Sequence, residues 1–208
     1  MRAMMRLMVV VSALALGMGV ASAEVAKTAQ PTGDPAKEAA MAAMIQYGTP
    51  GEQHKALEPF VGTWNYTLSW QMSPEAPSES MAGVTTTSWI FGGRFLKQDV
   101  TGPAAAEGQP SFEGIGFVGY DNIRKEYTSI WFDNMGTGIM LAAGQYDAAT
   151  TTLTEEGSMS CPMTGESHRW FRSAWKIVDE NHNTYETYTR TPDGREFKSM
   201  EIQYTRAQ

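Results

Sequence analysis

From Phe60 to the C-terminus the apolar residues of this chain repeat at every second position, and that period restricts its fold more than any other feature. Phe60, Gly62, Trp64, Tyr66, Leu68 and Trp70 alternate with Thr63, Asn65, Thr67, Ser69 and Gln71. Successive side chains of a β-strand point to opposite faces, so this run is a strand with one buried and one wetted face. The same pattern predicts strands over Val84 to Phe91, Arg94 to Thr101, Phe112 to Tyr120, Glu126 to Asp133, Gly138 to Tyr146, Thr152 to Met159, His168 to Val178, Thr184 to Thr189 and Glu196 to Thr205, ten with the first. Between them lie short stretches rich in Gly, Asp and Asn, such as Phe91-Gly92-Gly93-Arg94, Tyr120-Asp121-Asn122 and Pro192-Asp193-Gly194. Turns of that chemistry join antiparallel neighbours. Ten sequential antiparallel strands leave two exposed edges unless the sheet closes on itself. The expected fold is therefore all-β, an antiparallel up-and-down barrel of about ten strands, with an open two-layer sandwich as the alternative. Two longer loops, Ser73 to Ser80 and Gly102 to Pro110, are expected at the rim.

The residues before Phe60 divide into three pieces. Arg2 and Arg6, the uncharged run Leu7 to Val20 and the small residues Ala21-Ser22-Ala23 read as a cleavable signal peptide over residues 1–23, cut after Ala23. The apolar run is shorter than the roughly 20 residues a membrane-spanning helix needs. The protein is thus expected in the periplasm or outside the cell, with no stable membrane anchor after cleavage. Residues 24–33 are polar and without period, a flexible leader. Residues 34–59 predict two short helices. Asp34-Pro35 supplies an N-cap and a first-turn proline, Met41, Met44 and Ile45 recur at helical spacing, and Gly48 ends the first. Thr49-Pro50-Gly51-Glu52 reads as a capping box that opens a second over Gln53 to Glu58. Residues 60–208 form the barrel domain.

Composition narrows the function classes. At 208 residues, 42% hydrophobic and 11% aromatic, the chain can bury a full core. Removing Arg2 and Arg6 while all 23 acidic residues stay takes the net charge from −7 to −9. A surface of that sign repels phosphate backbones and anionic lipid, so neither nucleic acid nor a membrane surface is an expected partner. The single Cys161 cannot form an intramolecular disulfide. It reads as a shielded thiol, because no His or basic residue stands beside it in sequence to activate it.

Seven ordered motifs carry a resemblance. They are Thr49-Pro50-Gly51-Glu52-Gln53-His54, Phe60-Val61-Gly62-Thr63-Trp64, Gly92-Gly93-Arg94-Phe95-Leu96, Phe112-Glu113-Gly114, Gly119-Tyr120-Asp121-Asn122, Met135-Gly136-Thr137-Gly138 and the closing Lys198 to Arg206. Together, from about Ala39 to Arg206, the chain resembles the family catalogued as domain of unknown function 1579. The resemblance implies a lipocalin-like, calycin-type barrel and no assigned activity. A looser similarity is to the lipocalin signature, in which a Gly-x-Trp on the first strand packs against an Arg near the end of the last. Gly62-Thr63-Trp64 and Arg206 are the matching positions, and such stacking of a guanidinium on an indole is a stabilising device. The haem-binding nitrobindin barrels also begin with a similar Gly-Thr-Trp, but the glycine-alternating run that follows it in them is missing here. No haem or other cofactor is expected.

The chain lacks a Gly-x-Ser-x-Gly elbow, a His-Glu-x-x-His pair, a Walker loop and a Gly-x-Gly-x-x-Gly with a following helix. His54, His168 and His182 have no metal-ligand spacing, and no metal is expected. The candidate ligand-binding residues are polar groups that share a strand face with aromatics. Trp131 and Asp133 share one face with Tyr127 and Ser129, and Met140 follows nearby. Asp133-Asn134 also suffices to build the turn into Met135. Glu113 sits between Phe112 and Gly114, and Arg94 between Gly93 and Phe95. His168 and Arg172 share a face of one strand with Trp170, as Glu186 does with Tyr188 on the next. Arg172 and Glu186 form either a charged pair inside the barrel or a pair on its outside. Glycines 114, 116 and 119 suggest sharp coiling or close approach to the backbone.

Three functions fit: a barrel binding a small, partly apolar molecule; an enzyme using Glu113, Asp133 or Glu186 as acid or base; and an envelope interaction protein with a filled barrel. A hollow interior favours the first two and a packed one the third.

Overall fold

The structure, a computed structural model, describes residues 34–104 and 106–208. The signal peptide and leader expected over residues 1–33 lie outside the described residues. Ten strands follow one another in sequence: β1 (Gly62–Trp70), β2 (Glu79–Ile90), β3 (Phe95–Ala104), β4 (Ser111–Asp121), β5 (Glu126–Asp133), β6 (Met140–Asp147), β7 (Thr152–Met159), β8 (Arg169–Asp179), β9 (His182–Arg190) and β10 (Glu196–Arg206). Each pairs antiparallel with its neighbour, and β1 pairs with β10 from Trp64 opposite Arg206 to Trp70 opposite Met200, which closes the barrel. Closure leaves the sheet without an edge, which excludes the open sandwich.

Several boundaries differ from the sequence pattern. The β2 strand begins at Glu79 and not Val84, because Glu79 to Gly83 pair with Tyr66 to Trp70 although Glu79-Ser80-Met81-Ala82-Gly83 carries no regular apolar alternation. Gly83 is required there: the Tyr66 hydroxyl, which donates to the Thr101 carbonyl at 3.2 Å, occupies the space a Cβ would take. Strand β9 extends back to His182, whose imidazole meets Asp179 at 2.9 Å.

Two helices precede the barrel, α1 (Pro35–Gly48) and α2 (Glu52–Lys55), followed by a single 3₁₀ turn over Glu58–Phe60. The second helix is shorter than expected because Pro59 lacks the N–H that a continuing α-helix would use. Thr49 does not cap it. Its hydroxyl accompanies the end of α1, donating to the Ile45 carbonyl, and the His54 ring nitrogen instead accepts from the N–H of Gly51, the N-cap of α2, at 3.1 Å. Met41, Met44 and Ile45 are exposed, so α1 owes its place to its end, where the Asn122 amide donates to the Tyr47 and Thr49 carbonyls.

The core lies at one end of the barrel. Leu57 and Phe60 enter it from the helical cap and are fully buried against Leu96, Val118, Tyr127, Leu153 and Trp175. The Tyr127 hydroxyl donates to the Gln53 carbonyl at 2.7 Å and the Trp89 indole to Glu58 at 2.6 Å, so the cap is moored as well as packed. Tyr120 and Tyr146 both pack on Tyr127, with ring centroids 4.9 and 6.3 Å away, while the aspartates that follow them build the turns. Beside the cap, the Arg206 guanidinium lies over the Trp64 ring at 4.0 Å and donates to the Val61 carbonyl at 2.9 Å. Gly62, at φ +133°, leaves the room that this guanidinium fills. The Gly-x-Trp and the terminal Arg thus do what the lipocalin resemblance implied, closing one end of the barrel.

Candidate functional site

Beyond that core the barrel is hollow. A cavity of about 370 Å³ extends from the middle of the barrel to the end opposite the helices. Leu68, Val100, Phe112, Trp131 and Ile202 form its walls, and Met72, Met140, Met159, Met163 and Met200 gather toward its mouth. Unbranched thioether side chains at a mouth adapt to different shapes of apolar guest.

Local backbone makes the room. Strand β4 points Gly114 and Gly116 inward, where the Trp131 ring of the neighbouring strand β5 lies against them; a Cβ at Gly116 would stand 3.2 Å from the ring, and one at Gly114 would collide with it. The glycines of this strand therefore serve close approach, with Phe95 taking the same kind of space at Gly119. Trp131 lies flat along the wall instead of filling the lumen. Its indole N–H donates to Asp133 at 2.8 Å, and the other oxygen of Asp133 accepts the Met135 N–H at 2.9 Å. Asp133 both orients the indole and builds the turn.

The deep end of the cavity is polar. Glu155 on β7 faces inward with only 5% of its surface exposed, and the Ser129 hydroxyl lies 2.7 and 2.8 Å from its two oxygens. Burial pushes its pKa up to about 7, and the hydrogen bond from Ser129 opposes this only in part. Thr187 lines the same cavity, is buried, and its hydroxyl has no hydrogen-bond partner among the described residues. Burial also raises the pKa of the neighbouring Tyr185 phenol, which remains neutral. Sequence reasoning passed over Glu155. Its signal was parity: Leu153, Glu155 and Met159 share the inward face of one strand.

Of the residues expected to bind ligand, Trp131, Asp133 and Met140 come together on the cavity wall. The other five do not line it. Glu113 is exposed on the outer face of β4, and Arg94 is exposed at the turn before β3, donating to the Phe91 carbonyl at 2.8 Å. His168 is exposed just before β8. Arg172 and Glu186 face outward, and they do not pair with one another. Arg172 meets Glu196 at 2.6 Å and stacks on Tyr188, and Glu186 meets Lys198 at 3.0 Å. The inward charged pair is thereby replaced by two outer ones, because the alternation that buries Phe171, Ser173 and Trp175 sends Arg172 out.

Cys161 is buried at the cavity mouth, as a shielded thiol. The fold supplies the basic neighbour that the local sequence lacks. Arg169, eight residues on, brings a guanidinium nitrogen 3.9 Å from the sulfur. Burial raises the thiol's pKa, but the hydroxyl and amide of Thr164, the Met163 amide and the Arg169 charge together outweigh it, and the net direction is down. Among the described residues no three His, Cys, Asp or Glu side chains form a metal-binding group, and no helix is long and apolar enough to cross a membrane.

Comparison with known proteins follows the same lines. No match is found among curated proteins. Among solved structures, the fold is similar to that in "Crystal Structure of Rv2717c from M. tuberculosis", with a TM-score of 0.58 at 16% identity, covering 77% of this chain and 100% of that one. A redesigned β-barrel, b11L5F_LGL, matches more weakly, with a TM-score of 0.39 at 12% identity over 74% of this chain and 96% of that one. At these identities the likeness concerns fold alone. The family model described as "Protein of unknown function (DUF1579)" matches residues 49–206, from the first of the seven motifs at Thr49, and not from about Ala39, to the same Arg206. The chain, a closed ten-stranded barrel with a hollow end, belongs to that family.

Proposed function

We propose that this protein binds a small, partly apolar molecule inside its barrel. The cavity is the observation that carries the reading: about 370 Å³, mostly apolar walls, and a few polar groups, among them the buried Glu155 with Ser129. Small-molecule sites have this size and this distribution of polarity. A barrel filled with side chains, working only through its outer surface, would have no such space. The leader sequence over residues 1–23 supports delivery of the protein to the periplasm or the exterior. In that case the protein recovered from the envelope or medium of its native source begins at Glu24; an N-terminus that retains residues 1–23 would refute export with cleavage.

Trp131 tests the binding reading. N-phenyl-1-naphthylamine, a neutral probe that brightens in apolar surroundings, is expected to bind the wild-type barrel. Trp131→Ala removes the largest flat wall and is expected to weaken the probe at least tenfold, about 1.4 kcal/mol. The melting temperature falls by only a few degrees, because the ring is half-buried and away from the core under the helical cap. A collapse in Tm with unchanged affinity in the remaining folded protein would make Trp131 core and remove it from the site.

A further inference from the structure

Resting on the binding reading, we infer that the cavity takes a molecule with a basic nitrogen at one end and an apolar body, seated with its cationic end against Glu155 and Ser129 and its body along Trp131 toward the methionine mouth. Three observations lead there. The cavity is mostly apolar and holds a buried carboxylate, Glu155, with Ser129 beside it, well inside the methionine mouth, so a head group that pairs with that carboxylate is seated inward. The charged side chains lining it are Glu155, Asp133 and Arg169. Arg169 is already held at the mouth, where it donates to Thr189 at 3.0 Å and pairs with Glu166 at 3.1 Å. It thus leaves the two carboxylates to set the sign of the field inside. Glu155 itself is buried with Ser129 as its hydrogen-bond partner and with no cation paired to it among the described residues.

A buried carboxylate without a counter-ion is a costly arrangement in a stable protein, and the cost falls when a guest brings the missing charge. An ammonium group has three donors. The Glu155 carboxylate offers acceptors for them, and the Thr187 hydroxyl lines the same cavity. A carboxylate-headed guest of the same shape would place a second negative charge beside Glu155, and the geometry rejects it.

Three shape-matched naphthalenes separate this inference from the reading beneath it: 1-naphthylmethylamine, 1-naphthalenemethanol and 1-naphthoate. Their binding to the full mature protein is measured by calorimetry at pH 8, where Glu155 is largely ionised. The amine is expected to bind at least tenfold more tightly than the naphthoate. Glu155→Gln is expected to cost the amine about tenfold and the alcohol no more than twofold, while Asp133→Asn at the mouth costs the amine no more than threefold. If the alcohol binds and the amine shows no advantage over the naphthoate, the cationic-headgroup assignment is overturned and the binding cavity stands. A preference that survives Glu155→Gln but is lost in Asp133→Asn would overturn the head-down orientation. If none of the three binds, both the inference and the binding reading fall.

Discussion

Phe60→Ala is expected to destabilise the protein by about 3–5 kcal/mol, a fall in Tm on the order of 10 °C for a domain of this size. Phe60 is fully buried, and its ring centroid lies 3.8 Å from that of Trp175. It sits on the short 3₁₀ turn that joins the helical cap to β1, where it cannot collapse inward without moving Leu57 or the start of the strand. The Trp64 indole also donates to the Phe60 carbonyl at 3.0 Å, so the backbone stays tethered while the side chain is removed. A cavity is then left beneath the cap, with little relaxation to fill it. Thermal melts monitored by far-UV circular dichroism check this. A fall of less than 2 °C would mean that the cap is a loose lid and not the lower half of the core.

Glu155→Gln is expected to act in the opposite direction, and only at high pH. The folded state raises the pKa of this carboxyl from 4.5 to about 7, so between those values the native protein holds a proton that the unfolded chain releases. Stability is therefore fully present below pH 4.5 and declines as pH rises toward 7, by up to about 3 kcal/mol for a shift of this size. Glutamine keeps an oxygen to accept from Ser129 and carries no charge at any pH. At pH 5 the variant and the wild type are expected to melt within 1 or 2 °C of each other. At pH 8 the variant is expected to melt several degrees higher. Equal melting temperatures at both pH values would show that Glu155 does not titrate in a dry environment. The pair of substitutions divides the barrel by purpose: Phe60 stabilises one end, and Glu155 lowers stability at the floor of the other. A group that weakens the fold where a cavity begins is the kind of residue kept for what it binds.

Much of this architecture was legible in the residues. The ten strands follow from alternation alone, and Glu126 to Asp133 and Thr152 to Met159 agree with the structure to the residue. The stacking of Arg206 on Trp64 was anticipated from a three-residue motif and one distant arginine. Trp131, Asp133 and Met140 reach a common cavity wall as neighbouring positions on two paired strands. The misses share a cause. The start of β2 and the length of α2 depend on partners and on a proline's missing donor, and neither leaves an apolar period. Arg172 and Glu186 were placed by residue type, whereas their direction depends on which face of β8 and β9 the barrel turns inward. Glu155 stood beside Glu156, and two adjacent glutamates look like solvated charge until the parity of their strand is known.

The sequence by itself determined the class of fold, because a period of two with tight Gly, Asp and Asn turns admits little besides a closed antiparallel sheet once the edges must be paired. Its resemblance to the lipocalin signature also anticipated the packing of Arg206 on Trp64 beside Gly62. Only the tertiary structure decided that the end opposite the helices is hollow and that its floor is a carboxylate. Whether inward side chains meet across a barrel depends on the glycines opposite them and on strand stagger, which bring together residues far apart in the chain. Trp131 lies flat because Gly114 and Gly116 stand next to it, and Glu155 is buried because β7 follows the same parity as Leu153. Such relations are spatial, and no local run of residues expresses them.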